Sequence, residues 1–354
     1  MPSVRKQNYS IKDIADYVGV SRSTVSRVLN NVHTRIAVSA ETCARIHEAI
    51  RHFDYTPNAS ARRLAVKKSF VIGLQLPIQN VNNHAFNDYN LIGAMLGFEE
   101  ALRGTDYRLQ LIFGSRSGLN DHAENLRLLK SKSIDGLLIW GALTNENIPR
   151  ELESYPVLLL NSLPEKFENF STIVHDDYRG SRRLIQELIQ EGASRFLYVM
   201  GPEKVSICQN RYRGFLDTLL ENNIPFQPEQ QLFHGDFGYD SVIDQARTFF
   251  MSGGAHDYDA VVCVNDKMAT AFFDAAVAAG VTPQKDIILA GADDVEDCAR
   301  YNLRTYKCDR FHMGTLAIHQ IIRQIEETVP QTPEHLCLPT LVSDNSRRFK
   351  SPCQ

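Results

Sequence analysis

The chain has 354 residues and a mass of 40.0 kDa, which at about 150 residues per domain allows two or three domains with cores of their own. Hydrophobic residues make up 43% of it, and no apolar run approaches the ~18 to 20 residues that cross a bilayer. The polar first residues lack the apolar core of a secretion signal. We therefore expect a cytoplasmic protein that contacts no membrane.

Cysteine spacing and charge distribution narrow the class further. The seven cysteines are scattered and never spaced C-x-x-C, so neither a disulfide framework nor a zinc ribbon is expected. The net charge of −4 conceals a split, because the first 68 residues hold 12 basic and 5 acidic side chains while the rest carry a net charge of −11. This asymmetry indicates that a small N-terminal module meets a polyanion.

Helical apolar spacing predicts three helices within residues 1–57, an all-α domain. Ser10 is a suitable N-cap for the first helix, and Gly19 ends it. Ser21 precedes a second helix, Arg22 to Leu29, and a third begins at Ser39. The first two form a helix-turn-helix.

The outward face of the second helix indicates whether this helix-turn-helix binds DNA. Arg22, Ser23 and Arg27 are left exposed near its start, the part of such motifs that enters a major groove. The alternative is an amphipathic helical hairpin without a DNA-binding role.

A family resemblance lies in three stretches, residues 11–30, 38–42 and 55–65, and above all in the run Thr-Val-Ser-Arg-Val-Leu-Asn that ends the first stretch. These stretches closely resemble the N-terminal domain of the lactose-repressor (LacI/GalR) family. The resemblance implies that Arg22 and Ser23 read bases, with Arg27 also facing base edges. It further implies phosphate contacts from Ser21, Thr24 and Asn30.

Residues 58–68 form a basic, helix-compatible segment with too few apolar side chains for a core of its own. The resemblance implies a hinge helix that orders in the minor groove beside its twin from a second subunit and wedges Leu64 into a base step. Asn58 and Ala61 are assigned to the same DNA contact. The alternative is a solvated linker.

From residue 69 onward, short apolar runs alternate with helical stretches, which predicts βαβ units in two doubly wound parallel sheets. Ligands bind beyond the carboxyl ends of such strands, so we expect a cleft between two lobes. This α/β region also resembles the family, whose effector domains are similar to periplasmic sugar-binding proteins. We expect an N-lobe of about residues 69–172 and 308–335, and a C-lobe of about 173–307 and 336–354.

Four residues in family-like motifs are candidate effector ligands. Arg211 offers a fork of donors, Asn265 a donor and an acceptor, Asp293 an acceptor for two hydroxyls, and Phe237 a ring for an apolar sugar face. Arg211 could instead form a surface salt bridge. Asn265 and Asp293 could instead serve the turns at strand ends.

Enzymatic motifs for hydrolases, metalloproteases and phosphate-binding loops do not occur, so we expect no catalytic residue, metal or cofactor. Gly93 and Gly97 lie in a predicted helix, where they favour close packing. A remote alternative is an enzyme that holds Mg²⁺ with the acidic cluster from Asp293 to Asp297.

Taken together, the sequence predicts a homodimeric, sequence-specific transcriptional regulator that binds a palindromic operator. We expect a repressor controlled by a small-molecule effector, a sugar, between its lobes. The alternative is an activator, or a regulator of the same architecture that requires a co-repressor.

Overall fold

The computed structural model describes residues 9–29, 38–55, 63, 66–76, 89–113, 122–295, 298–327 and 332–343. The chain divides into two compact units, Met1–Phe70 and Val71–Gln354. Within the described ranges, no helix is long and apolar enough to span a membrane.

Unit 1 contains three helices, α1 Ile11–Val18, α2 Arg22–Leu29 and α3 Ala40–His52. A capping box between Ser10 and Asp13 starts α1, and Gly19 ends it at φ 74°, a conformation that favours glycine. The expected helices and their caps are therefore confirmed. The helices enclose a small apolar core of Ile14, Ala15, Val18, Val25, Ile46 and Ala49.

Unit 2 is the α/β region. Its strands are β1 Val71–Gln75, β2 Arg108–Ile112, β3 Gly136–Trp140, β4 Val157–Leu160, β5 Ser171–His175, β6 Phe196–Met200, β7 Leu232–His234, β8 Ala260–Cys263, β9 Ile288–Ala290, β10 Thr305–Cys308, β11 His335–Leu338 and β12 Thr340–Ser343. Its helices are α4 Tyr89–Leu102, α5 His122–Lys130, α6 Asp177–Gln190, α7 Ser206–Glu221, α8 Pro228–Gln231, α9 Ile243–Met251, α10 Gly254–Asp257, α11 Asp266–Ala278, α12 Cys298–Tyr301 and α13 Arg310–Glu326, with short 3₁₀ helices at Arg150–Ser154 and Pro164–Lys166.

Two parallel sheets organise this unit, as the sequence predicts. The first sheet has the order β11-β5-β4-β3-β1-β2 and the second has the order β7-β6-β8-β9. Strands such as β3 and β8 are buried along their whole length, because helices cover both faces of such sheets. A third, two-stranded antiparallel pair joins β10 and β12.

The expected limits of the lobes need correction at two strands. β5 and β11 pair with each other in the first sheet, with Thr172 opposite His335, so the limits at 172 and 335 fall inside N-lobe strands. β5 also carries buried polar residues, Ser171, Thr172 and His175. It therefore lacks the continuous apolar run by which the other core strands are recognised.

Helices α4 and α13 pack closely through glycines. A Cβ atom on Gly97 would overlap the carbonyl oxygen of Phe311, and one on Gly314 would overlap that of Ala94. The interpretation of Gly97 as a packing residue is confirmed. This contact fixes the start of α13 against the first sheet.

We expect Gly97→Ala to lower the free energy of unfolding of unit 2 by about 1 to 3 kcal/mol, because the added methyl group forces the two helix backbones apart. Guanidinium unfolding of the full chain, followed by circular dichroism, measures the loss. Gly238→Ala is the control, since the nearest atom to its Cβ is 3.7 Å away. Equal stability of the two variants would contradict this account of the helix contact.

Candidate functional site

The start of α2 is built by a hydroxyl network. The Oγ atom of Ser21 accepts a hydrogen bond from the backbone amide of Thr24 at 3.1 Å and lies 2.7 Å from the Oγ atom of Ser23. Arg22 and Ser23 are exposed, and Val25 on the opposite face is buried. The helix therefore presents its first polar residues to the surroundings while its apolar side holds it in the fold.

Of the other residues predicted to contact DNA, the structure describes some and not others. Arg27 is half-buried, and its Nε atom donates to the Ser23 carbonyl at 3.4 Å. Asn30, Asn58, Ala61 and Leu64 lie outside the described residues. All of these DNA contacts stay predictions.

In unit 2, Arg211 lies at the centre of a buried charge network. Its side chain is 1% exposed, and it donates to Asp177 at 2.8 Å, to the Val264 carbonyl at 2.6 Å and to Asp293 at 2.6 Å. Burial acts against its charge, but Asp177 and Asp293 offset this and hold its pKa well above the usual value. Arg211 therefore forms buried salt bridges, and not the surface salt bridge that the sequence analysis considered as an alternative.

Asp293 connects the two lobes. Besides Arg211, its carboxylate accepts from Arg310 at 3.1 Å and from the Nδ2 atom of Asn90 at 3.1 Å. Asn90 and Arg310 belong to α4 and α13, which pack on each other beside the first sheet. We call Arg211, Asp293, Arg310 and Asn90 the inter-lobe clasp.

Sequence reasoning missed Arg310 and its partners from the N-lobe. Arg310 donates to Asn90 at 3.0 Å, to Asn161 at 3.0 Å and to the Nδ1 atom of His175 at 2.7 Å. Asn161 directly follows β4, and His175 ends β5. The rule that ligand-facing residues follow strand ends was a signal that could have found both.

The remaining two candidates contact each other. The amide of Asn265 caps α11 by accepting from Met268 at 2.9 Å, and it donates to the Phe237 carbonyl at 3.0 Å. Phe237 adopts a φ of 55°. Asn265 thus performs the turn role that the sequence allowed, and its role as an effector ligand stays a prediction.

One cavity, of about 210 Å³, is lined by residues that include chain neighbours of Asn90 and Asp293, namely Tyr89, Tyr239, Lys267, Thr270, Val295 and Tyr301. Tyr89 comes from the N-lobe, and the Lys267 ammonium lies 5.4 Å from the centre of its ring. A larger cavity of about 310 Å³ lies beside Tyr212 and Arg213. Neither of these two cavities is lined by any of the four predicted effector residues.

We expect Arg211→Met to lower the free energy of unfolding by about 3 to 5 kcal/mol, because the change leaves two buried carboxylates short of a partner. Chemical unfolding of the full chain measures it. Arg247→Met is the matched control, since Arg247 forms an exposed pair with Asp244 and such pairs contribute about 0 to 1 kcal/mol. A loss no larger than that of the control would show that the network contributes little.

Comparison with known proteins places both units in one family. Residues 10–58 match the family model for bacterial regulatory proteins of the lacI family. Residues 83–337 match the model for periplasmic binding proteins and the sugar binding domain of the LacI family.

Relatives cover nearly the whole chain. The ribose operon repressor of Bacillus subtilis is 30% identical over 92% of this chain and 95% of its own length. The HTH-type transcriptional repressor PurR of Aliivibrio salmonicida is 27% identical over 90% and 92%. In fold, the lac repressor dimer bound to operator and an anti-inducer matches with a TM-score of 0.80 at 22% identity, covering 96% of this chain and 98% of that one. The chain belongs to the LacI family of DNA-binding transcriptional regulators.

Proposed function

We propose that this regulator represses transcription by binding a palindromic operator as a homodimer, and that a small molecule held between its lobes sets its affinity for DNA. The observation that supports this most directly is one chain that combines an exposed helix-turn-helix reading face with a polar clasp across two lobes. Neither the DNA-binding unit alone nor the two-lobed unit alone would couple the binding of a small molecule to the binding of DNA.

The DNA half of the proposal follows from charge and exposure. The basic N-terminal segment supplies attraction to phosphates that is independent of sequence. The exposed start of α2 supplies donors for base edges, and Arg22 is suited to a bidentate contact with guanine. We assign Leu64 to a wedge in the minor groove, where it would act only on bent DNA.

The effector half follows from the position of the clasp. Arg310 and Asn90 move with the N-lobe, whereas Asp293 and Arg211 move with the C-lobe, so a change in the angle between the lobes must change these contacts. A ligand that prefers one arrangement then shifts the population of both. We propose a carbohydrate-like ligand, because the polar groups here suit several neighbouring hydroxyls.

The relatives favour repression over activation, since both sequence relatives described above are named repressors.

We also propose that the chain has no enzymatic activity. Asp293, the first member of the acidic cluster considered for Mg²⁺, accepts from two guanidinium groups, which makes it a poor metal ligand. Glu296 and Asp297 lie outside the described residues.

We expect Arg22→Ala to relax the preference of the protein at one symmetric pair of operator positions and to cost about 1 to 3 kcal/mol per lost contact. Selection from random duplexes with the full chain, followed by titration of the selected site, measures both. Arg51→Ala, an exposed change in the last turn of α3, is the control and should leave the preferred sequence unchanged. If Arg22→Ala selects the native sequence, Arg22 is not a base reader, and if the native chain selects no sequence, the proposed function fails.

A further inference from the structure

The N-lobe side of the clasp holds one cation among neutral partners. Arg310 is 6% exposed, and its hydrogen-bond partners from its own lobe are Asn90, Asn161 and His175. Burial and the adjacent guanidinium lower the pKa of His175 to about 2, so its imidazole is uncharged at neutral pH. Among the described residues, the carboxylate that accepts a hydrogen bond from Arg310 is that of Asp293, which comes from the other lobe.

Asp293 does not depend on Arg310 in the same way. Within its own lobe it accepts from Arg211 at 2.6 Å, and this partner does not depend on the contacts to Arg310 and Asn90 of the N-lobe. A buried charge without a counter-charge costs several kcal/mol. Arg310 is therefore the group that needs a new anion whenever the two lobes rearrange.

A neutral sugar hydroxyl cannot replace a carboxylate opposite a buried guanidinium, because it supplies no opposite charge. A carboxylate or phosphate can replace it, and it accepts two parallel hydrogen bonds from the fork of an arginine. Replacement at Arg310 by such a group would leave no buried charge in the clasp unpaired.

The residues that line the cavity described above also suit an anion. Its six lining residues include the cation Lys267 and three tyrosines but no carboxylate. Tyr89 precedes the clasp residue Asn90, and Val295 lies two positions after Asp293. A ligand in this cavity would thus meet a positive charge and aromatic faces, next to chain segments that also carry clasp residues.

We infer that the effector is an organic anion, a polyhydroxylated carboxylate or phosphate ester, and that Arg310 is the specificity-determining residue that binds its anionic group. This inference rests on the proposed control by an effector between the lobes. It assigns a chemical class to the ligand and a role to a residue outside the four predicted from the sequence.

Thermal unfolding of the full chain with a matched panel of compounds tests the ligand class. Each pentose or hexose is supplied in three forms, as the neutral sugar, as its sugar acid and as its phosphate ester, all at the same concentration and ionic strength. We expect at least one anionic form to raise the Tm while its neutral parent does not, and the acid and phosphate arms identify which group is bound. Stabilisation by neutral sugars only, or by no anionic form, would overturn the inference.

Substitutions at Arg310 test the residue. Arg310→Gln should weaken binding of the stabilising anion at least tenfold, or about 1.4 kcal/mol, and Arg310→Lys should weaken it less because the charge remains. Arg323→Gln is the matched control, an arginine of the same helix whose side chain is 45% exposed, and it should bind as the native chain does. Native-like binding by Arg310→Gln would contradict the assignment, and the panel on the native chain decides the ligand class if that variant does not fold.

Operator binding measured with the same compounds separates this inference from the proposed function. If neutral sugars alone change the affinity for a selected duplex, control by an effector stands and the anionic class is wrong. If an anion binds through Arg310 but leaves operator binding unchanged, the site is real and its coupling to DNA is wrong.

Discussion

The pairing of buried charge at Arg211 is the constraint on which the second unit depends. A guanidinium that is 1% exposed requires full compensation, and it receives this from a carboxylate that opens α6, a carbonyl that follows β8 and a carboxylate that follows β9. Three separate segments of the C-lobe must therefore meet at one point. The same point carries the contact to the N-lobe, since Asp293 also accepts from Arg310 and Asn90.

The stability of the C-lobe and the contact between the lobes are consequently joined in this network. Asp293 stabilises the C-lobe through Arg211 and contacts the N-lobe through Arg310. A ligand that competes for Arg310 alone can change the contact between the lobes without removing the partner that holds Asp293 in place. This separation of partners would let an effector act on the arrangement of the lobes at little cost to the fold.

The DNA-binding unit is stabilised by a small core and by local contacts, and not by a buried charge network. Its core of six buried residues is small, and local features define its helices, namely the capping box at Ser10, the left-handed Gly19 and the cap at Ser21. Arg45 donates to the Val18 carbonyl at 2.7 Å and so satisfies the end of the first helix. Arg22 at the start of α2 is exposed, which suits the base-reading role proposed for it.

These differences explain which parts of the protein could be predicted from the sequence. Helical periodicity, caps and continuous apolar strands are local signals, so the three N-terminal helices and most core strands were predicted close to their observed positions. β5, β7, β10, β11 and β12 were not predicted. Among these, β5 carries buried polar residues inside its sheet, and β7 has only three residues.

The sequence by itself determined the family, the two kinds of unit and four candidate effector ligands, because each of these depends on residues near one another in the chain. Only the tertiary structure decided which of these residues are already paired, and it added Arg310 to the site. Asn90 and Asp293 are 203 positions apart, and Arg310 and Asn161 are 149 apart. Whether a buried polar group is satisfied depends on such distant partners, and no local pattern records them.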